Sequence, residues 1–220
     1  MRQKYQTDHL FPIRFWTFRA PEELTLDALE KVKKLEFRRY NEPSGVGTSD
    51  QLHSRPEFEE LHRWFQQCVD TLHVDNGWQC DRLVVNKSWA NRSDAKTGDR
   101  HDAHRHPMSY LSGIFYLTGG PPTVFLDPLA QREWGQFHLD GGPVSETRQF
   151  VHAGIGGLLL FPSYMVHASV GNEEDIDRYT IALNTFPSGV INAGAFDRPM
   201  AEVSVNGWKQ LESLNLNDYT

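Results

Sequence analysis

Gly156-Gly157-Leu158-Leu159-Leu160-Phe161-Pro162-Ser163-Tyr164-Met165-Val166-His167 is the stretch on which the fold turns. A glycine pair makes a turn, a short apolar run follows, and Pro162-Ser163 turns the chain again before His167 opens the next segment. An apolar run this short, bounded by turn residues, reads as a buried strand, since helices usually need about 10 residues. The whole stretch therefore predicts a hairpin that brings a histidine back towards the mouth of a β structure.

Outward from it, the same character extends in both directions. Strands are expected at Leu83 to Trp89, Ala103 to His106, Leu111 to Leu117, Thr123 to Leu126, Gln149 to His152, Leu158 to Phe161, His167 to Val170 and Tyr179 to Thr185. Gly119-Gly120-Pro121-Pro122 suits a hairpin turn. Many short strands imply a sandwich or a barrel. The stretch Gln131 to Val144, with Trp134, Phe137 and His138, is long enough to be a lid or a plain insertion.

The first third differs. Leu26, Leu29, Val32 and Leu35 recur at helical spacing after Thr25, an N-cap residue type, with Leu24 placed to staple onto Leu29. Ser54 and Glu57 form a capping-box pattern around Pro56, and Phe58, Leu61, Phe65, Cys68 and Leu72 continue as one apolar stripe. The fold class is thus mainly β with N-terminal helices. A single domain over 1–220 is expected, with helical support at 1–77, a β core at 78–187 and a C-terminal arm at 188–220 carrying Phe196, Val203, Val205, Trp208 and Leu211.

Composition excludes several function classes. The net charge is -7, and the basic residues near Lys31, Lys33, Lys34, Arg38 and Arg39 fit one polar helix face, so nucleic acid is not an expected partner. No apolar run approaches the roughly 20 residues of a membrane span, and the start lacks a secretory signal. A cytoplasmic location is expected. Cys68 and Cys80 are too few for a disulfide framework and have no evident base beside them.

The chemistry lies in the histidines. His104 and His106 stand at i and i+2, which on an extended segment puts both imidazoles on one side, within reach of one metal. The competing reading is a solvated polar loop over Asp99 to His106. His167, sixty-one residues after His106, adds a third neutral nitrogen donor of the kind that suits Fe, Zn, Ni or Cu. Arg178 then begins an alternating strand, where a buried guanidinium needs an anion. Its bland alternative is an ion pair with Asp175, Asp177 or the Glu173-Glu174 run. His9, His53, His62, His73, His101, His138 and His152 read as surface or packed side chains, and Trp89, Trp134, Phe115 and Phe125 as core or pocket aromatics.

Three blocks in order carry a family resemblance. His104-Arg105-His106-Pro107-Met108-Ser109-Tyr110-Leu111-Ser112-Gly113-Ile114-Phe115-Tyr116-Leu117, the Leu-Phe-Pro-Ser run ending at His167, and Arg178-Tyr179-Thr180-Ile181-Ala182-Leu183-Asn184 resemble the Fe(II)/2-oxoglutarate-dependent oxygenases. The match is to a prolyl-hydroxylase-like branch, over about residues 83 to 187, and Trp89-Ala90-Asn91 shares in it. The resemblance implies a double-stranded β-helix, a jelly-roll or cupin-like barrel. It implies His104, His106 and His167 as iron ligands, Arg178 as the anchor for the distal carboxylate of 2-oxoglutarate, and Tyr116 as a hydroxyl joining that arginine. His106 stands where most of the superfamily has a carboxylate, so Asp102 or Asp127 is the alternative second ligand. Asn91 and Asn184 are further residues expected around the cosubstrate and substrate.

Implied chemistry is O2-dependent hydroxylation of an unactivated C–H bond, with release of succinate and CO2. The implied substrate is a prolyl or other amino-acid, peptide or small-molecule group. Two other readings remain open at this level: a three-histidine cupin-like dioxygenase working without 2-oxoglutarate, and a non-catalytic binding barrel.

Overall fold

The computed structural model describes residues 12–39, 46–128 and 148–191, together with the backbone of two later strands. The loop 131–144, with Trp134 and His138, and the side chains of the C-terminal arm lie outside the described residues.

Two helices follow a first strand, β1 (Trp16–Arg19). Helix α1 (Glu22–Lys33) starts three residues before the expected Thr25 cap. Pro21 supplies the entry with φ -53°, and Glu22 and Glu23 in the first turn with Lys31 and Lys33 in the last complement the helix dipole. Thr25 instead lies inside the helix and donates its hydroxyl to the Pro21 carbonyl. The buried stripe is accordingly Leu24, Thr25, Ala28 and Val32, while Leu26 is 54% exposed.

Two short strands, β2 (Arg38–Arg39) and β3 (Gly47–Ser49), precede the second helix. The expected capping box there does not form: Ser54 ends a 3-10 turn and donates to the Gln51 carbonyl. A second such turn, Pro56–Phe58, leads into α2 (Glu59–Asn76), which ends on Gly77 at φ +61°, a left-handed cap. Phe58, Leu61, Phe65, Cys68, Val69 and Leu72 are buried along it.

The rest is antiparallel sheet: β4 (Arg82–Ser93), β5 (Leu111–Tyr116), β6 (Thr123–Leu126), β7 (Arg148–Val151), β8 (Gly157–Pro162), β9 (His167–Ser169) and β10 (Arg178–Ile191). The main sheet runs β1-β8-β5-β10-β4-β3-β2, and a smaller one runs β7-β6-β9. From the end of β10 the chain continues the ladder into β11 (Ala201–Ser204) and β12 (Gly207–Lys209). Two facing sheets, rather than a closed barrel, make up this double-stranded β-helix.

Strand alternation divides the interior in two. Phe115, Leu158, Leu160, Ile181 and Leu183 pack with the buried faces of α1 and α2. Their neighbours Ile114, Tyr116, Leu159 and Phe161 pack with Phe125 of β6, on the side of the small sheet. Strand β5 is therefore buried on both faces at every residue. Gly113 has to be glycine at its centre, because a Cβ would sit 2.7 Å from Leu160 Cδ2 and 2.9 Å from Leu183 Cγ.

One irregularity sets up the site. Along β4, Asn184 pairs with Lys87 and Thr185 with Val85, so Asn86 is an extra, bulged residue. Before the bulge Leu83 and Val85 face the helical core; after it Ala90 does. The phase shift turns Trp89 and Asn91 to the opposite face, where they line a cavity between the sheets. No helix among the described residues is long and apolar enough to cross a membrane.

Candidate active site

Each of the three histidines arrives by a different route. His167 opens β9, opposite Phe125 of β6, and is buried. The segment of His104 is not the regular strand expected from sequence but makes a single bridge, in which His104 and His167 exchange both backbone bonds at 2.9 Å. Directly opposed residues in an antiparallel pair share a face, so both imidazoles emerge together. His106 follows on the same side and is tied by its backbone N–H to the Ser163 carbonyl.

The result is a compact cluster. One ligand nitrogen from each of His104, His106 and His167 lies within 4.8 Å of the others, and His104 is the most open to solvent. Ring centroids are 4.4 Å apart for His104 and His167, and 5.1 Å for His106 and His167.

The outer contacts set the proton positions. His104 Nδ1 faces the Asp102 carbonyl at 2.7 Å, His167 Nδ1 the Met165 carbonyl at 3.1 Å, and His106 Nδ1 the Asn184 side-chain oxygen at 2.7 Å. An oxygen acceptor requires Nδ1 to carry the proton, which leaves all three Nε2 lone pairs free. Ser112 donates its hydroxyl to the same Asn184 oxygen at 2.9 Å, fixing which way the amide points. Burial, with help from the neighbouring histidines, pulls His167 down to about 3 and lowers His106 from its ordinary value. Both are neutral at physiological pH, the form a metal requires.

Phe161 and Phe125 wall His167 on the apolar side, with ring centroids at 4.9 and 5.9 Å. The histidines open onto a cavity of about 230 Å³, lined also by Phe161, Trp89, Asn91, His101, Thr180 and Arg178. Arg178 is 4% exposed and donates its Nε–H to the Pro121 carbonyl at 3.1 Å. Among the described residues no carboxylate pairs with it: Asp177 is bound to Arg92 and Asp175 to Lys96. Gly120, at φ +121°, lets the turn before β6 lie against the Arg178 stem, where a Cβ would come within 3.2 Å. Desolvation bears directly on this guanidinium, lowering its pKa. An anion entering the cavity would relieve it.

Tyr116 is placed differently from expectation. Its hydroxyl bonds the Thr123 hydroxyl at 2.8 Å and the Val151 carbonyl at 3.3 Å, while its ring, not its oxygen, faces the Arg178 guanidinium at 5.7 Å. Asn91 lies on the cavity wall, but Asn184 stands behind His106. Asp102 is 72% exposed and oriented to Arg100 at 3.8 Å. Asp127 is exposed past the end of β6 and is outside the histidine cluster.

Sequence reasoning passed over His101. Its backbone N–H is held by the Ser169 hydroxyl at 2.7 Å, its ring lies 5.8 Å from that of His104, and it lines the cavity. Burial and the nearby His104 and Arg178 charges bring it down to about 3. Only its position three residues before His104 could have drawn attention to it. Cys68, by contrast, is buried in the helical core with its thiol pushed up to about 12, and carries no chemistry.

Residues 87–184 match the model of a family described as "Putative 2OG-Fe(II) oxygenase". Across those residues the chain is similar to the 2OG-Fe(II) oxygenases. The match begins just after the Asn86 bulge and ends on Asn184, so it encloses all three histidines and the arginine. No curated protein sequence matches the chain. Among solved structures, the non-heme alpha-ketoglutarate-dependent epimerase SnoN of nogalamycin biosynthesis is similar at a TM-score of 0.62 and 12% identity, over 80% of each chain. A Pseudomonas putida prolyl-4-hydroxylase gives 0.56 and 12%, over 80% of this chain and 94% of its own. HygX from Streptomyces hygroscopicus, solved with nickel, 2-oxoglutarate and hygromycin B, gives 0.55 and 14%, over 84% and 89%. At these identities the likeness shows the double-stranded β-helix fold. The cofactors of that family, Fe(II) and 2-oxoglutarate, suit the donor set here: three neutral nitrogens converge in a cavity that a buried guanidinium also lines.

Proposed function

We propose that this protein holds Fe(II) through Nε2 of His104, His106 and His167, grips the distal carboxylate of 2-oxoglutarate with Arg178, and hydroxylates an unactivated C–H bond. The observation that carries the reading is that three convergent imidazoles and a buried arginine line one cavity. Bound there, iron and 2-oxoglutarate supply oxidative decarboxylation to succinate and CO2, coupled to oxidation of the substrate by O2.

The chain's own residues do the rest. Three uncharged imidazoles leave the divalent charge of the metal uncompensated, and Arg178 adds another positive charge, so the cavity favours a dianion over a neutral ligand. The planar guanidinium fits a carboxylate by two parallel bonds, and the Tyr116 ring keeps it in place. Asn184 orients His106 through its amide oxygen. Phe125 and Phe161 keep water from the back of His167. His106 replaces the usual carboxylate, and the exposed Asp102 and Asp127 do not take its place.

The resemblance to prolyl hydroxylases supports an amino-acid, peptide or other small-molecule substrate. Two unpaired cysteines are in keeping with a reducing, cytoplasmic setting.

Anaerobic titration of the Fe(II)-loaded protein with 2-oxoglutarate tests the assignment. A visible metal-to-ligand charge-transfer band is expected in the wild type and in Asp102→Asn, but not in His106→Ala or Arg178→Met at the same cosubstrate concentration. A folded, iron-loaded wild type with no band would sink it. Oxygen uptake without any need for 2-oxoglutarate would favour the cosubstrate-free dioxygenase instead.

A further inference from the structure

Outside the central cavity, His106 and Trp89 also form the wall of a second hollow, a groove of about 430 Å³ that includes Lys87, Arg105, Met108 and Asn184. The β4 bulge creates this arrangement: Lys87 and Trp89, two residues apart after Asn86, share the face that points away from the helical core. Lys87 reaches over the indole of Trp89 at 5.4 Å from the ring centre, and the same indole lies 5.4 Å from the His106 ring. Among the described residues neither Lys87 nor Arg105 is paired with a carboxylate, although the chain as a whole carries a net charge of -7. Two uncompensated cations therefore flank an indole face that leads directly to a proposed iron ligand.

We infer that this groove is the substrate site and that the substrate is a small anion with a flat or apolar body. Its negative group is held by Lys87 and Arg105, and its body lies on Trp89 and against the exposed Met108. This orientation lays the body against Trp89 and His106, the two residues the groove shares with the central cavity, and keeps the charge at the outer end. The cationic rim also raises the local concentration of anions at the mouth. The volume is in the range of small-molecule sites rather than that of a protein interface. The inference rests on the reading of the central cavity as the iron and 2-oxoglutarate site.

The test uses the full chain, loaded with Fe(II) and saturated with 2-oxoglutarate under anaerobic conditions. Calorimetric titrations with 3-phenylpropionate, phenyl phosphate and the neutral 3-phenylpropionamide compare two anions with a control of nearly the same shape. At least one anion should bind about tenfold more tightly than the amide. That preference should vanish in Lys87→Gln/Arg105→Gln, whose replaced side chains are exposed, and the stronger of the two anions tells carboxylate from phosphate. Equal binding of anions and amide, no binding of either anion, or a preference that survives in the double variant would overturn the inference. The charge-transfer band, recorded on the same samples, reports on the central cavity separately. Its loss with the anion preference intact counts against the iron and 2-oxoglutarate reading alone, and its presence without that preference counts against the groove alone.

Discussion

The two halves of the histidine cluster are built in contrasting ways. His167 sits in a paired strand, is 4% exposed, and is walled by two phenylalanines. His104 and His106 sit on a segment that is extended but barely paired, held by one bridge and by side-chain and backbone bonds to Asp102, Ser163 and Asn184. One half is positioned by the sheet and the other by individual hydrogen bonds. The difference teaches that the site's rigid wall comes from burial, whereas its open edge depends on a few polar contacts that single substitutions can remove.

The sharpest break should come on the buried side. Arg178→Met is expected to weaken 2-oxoglutarate binding on the order of a hundredfold, because a dianion would then face the metal alone, and isothermal titration with cosubstrate reads it. His167→Ala should abolish stoichiometric iron and also lower stability by roughly 2–4 kcal/mol, as it empties a packed position. His104→Ala should lose iron too but leave the urea midpoint almost unchanged, since its ring is the most open of the three. Equal stability losses in the two variants would remove the contrast.

A smaller effect belongs to the open edge. Asn184→Leu takes away the acceptor for His106 Nδ1 and should reduce iron affinity by about 10- to 100-fold, with 2-oxoglutarate affinity of the residual iron-loaded protein preserved. Asn184→Asp keeps an acceptor and should restore most of the iron affinity. Failure of the aspartate to rescue would argue that Asn184 matters for packing alone.

The buried side also carries a pH dependence. His167 and His101 are held near 3 in the folded chain, against about 6.5 when unfolded. Between those values the unfolded chain binds more protons, so stability of the metal-free protein falls as pH drops through that window. The slope should reach at most about 1.4 kcal/mol per pH unit for each group, and urea midpoints between pH 7 and pH 4.5 measure it. His101→Gln should flatten the slope without changing the value at pH 7.5 by more than about 1 kcal/mol.

Much of this was legible in the residues. The Gly-Gly, apolar run, Pro-Ser and His167 order gave the β8 to β9 turn, because turn residues and short apolar runs act locally. Thr123 to Leu126 matches β6 residue for residue. Local signals misled at the helix starts, where Thr25 and Ser54 have capping chemistry but Pro21 and two 3-10 turns took the role. The strand β1 was missed because its pairing partner, β8, lies far along the chain. Tyr116 was expected to offer its hydroxyl to Arg178, but Thr123 and Val151 reach that oxygen first.

By itself the sequence determined the donor set: three histidines, an arginine at a strand start, and the strand periodicities that could bring them to one side. Residue type and spacing suffice for that, since ligand chemistry and alternation are properties of short segments. The tertiary structure decided which face those side chains took. The Asn86 bulge reverses the phase of β4 and turns Lys87, Trp89 and Asn91 from the helical core to the cavity side. A strand's face is fixed by its register against its neighbours, here β10, and a register shift of one residue leaves no mark in the sequence of the strand that carries it.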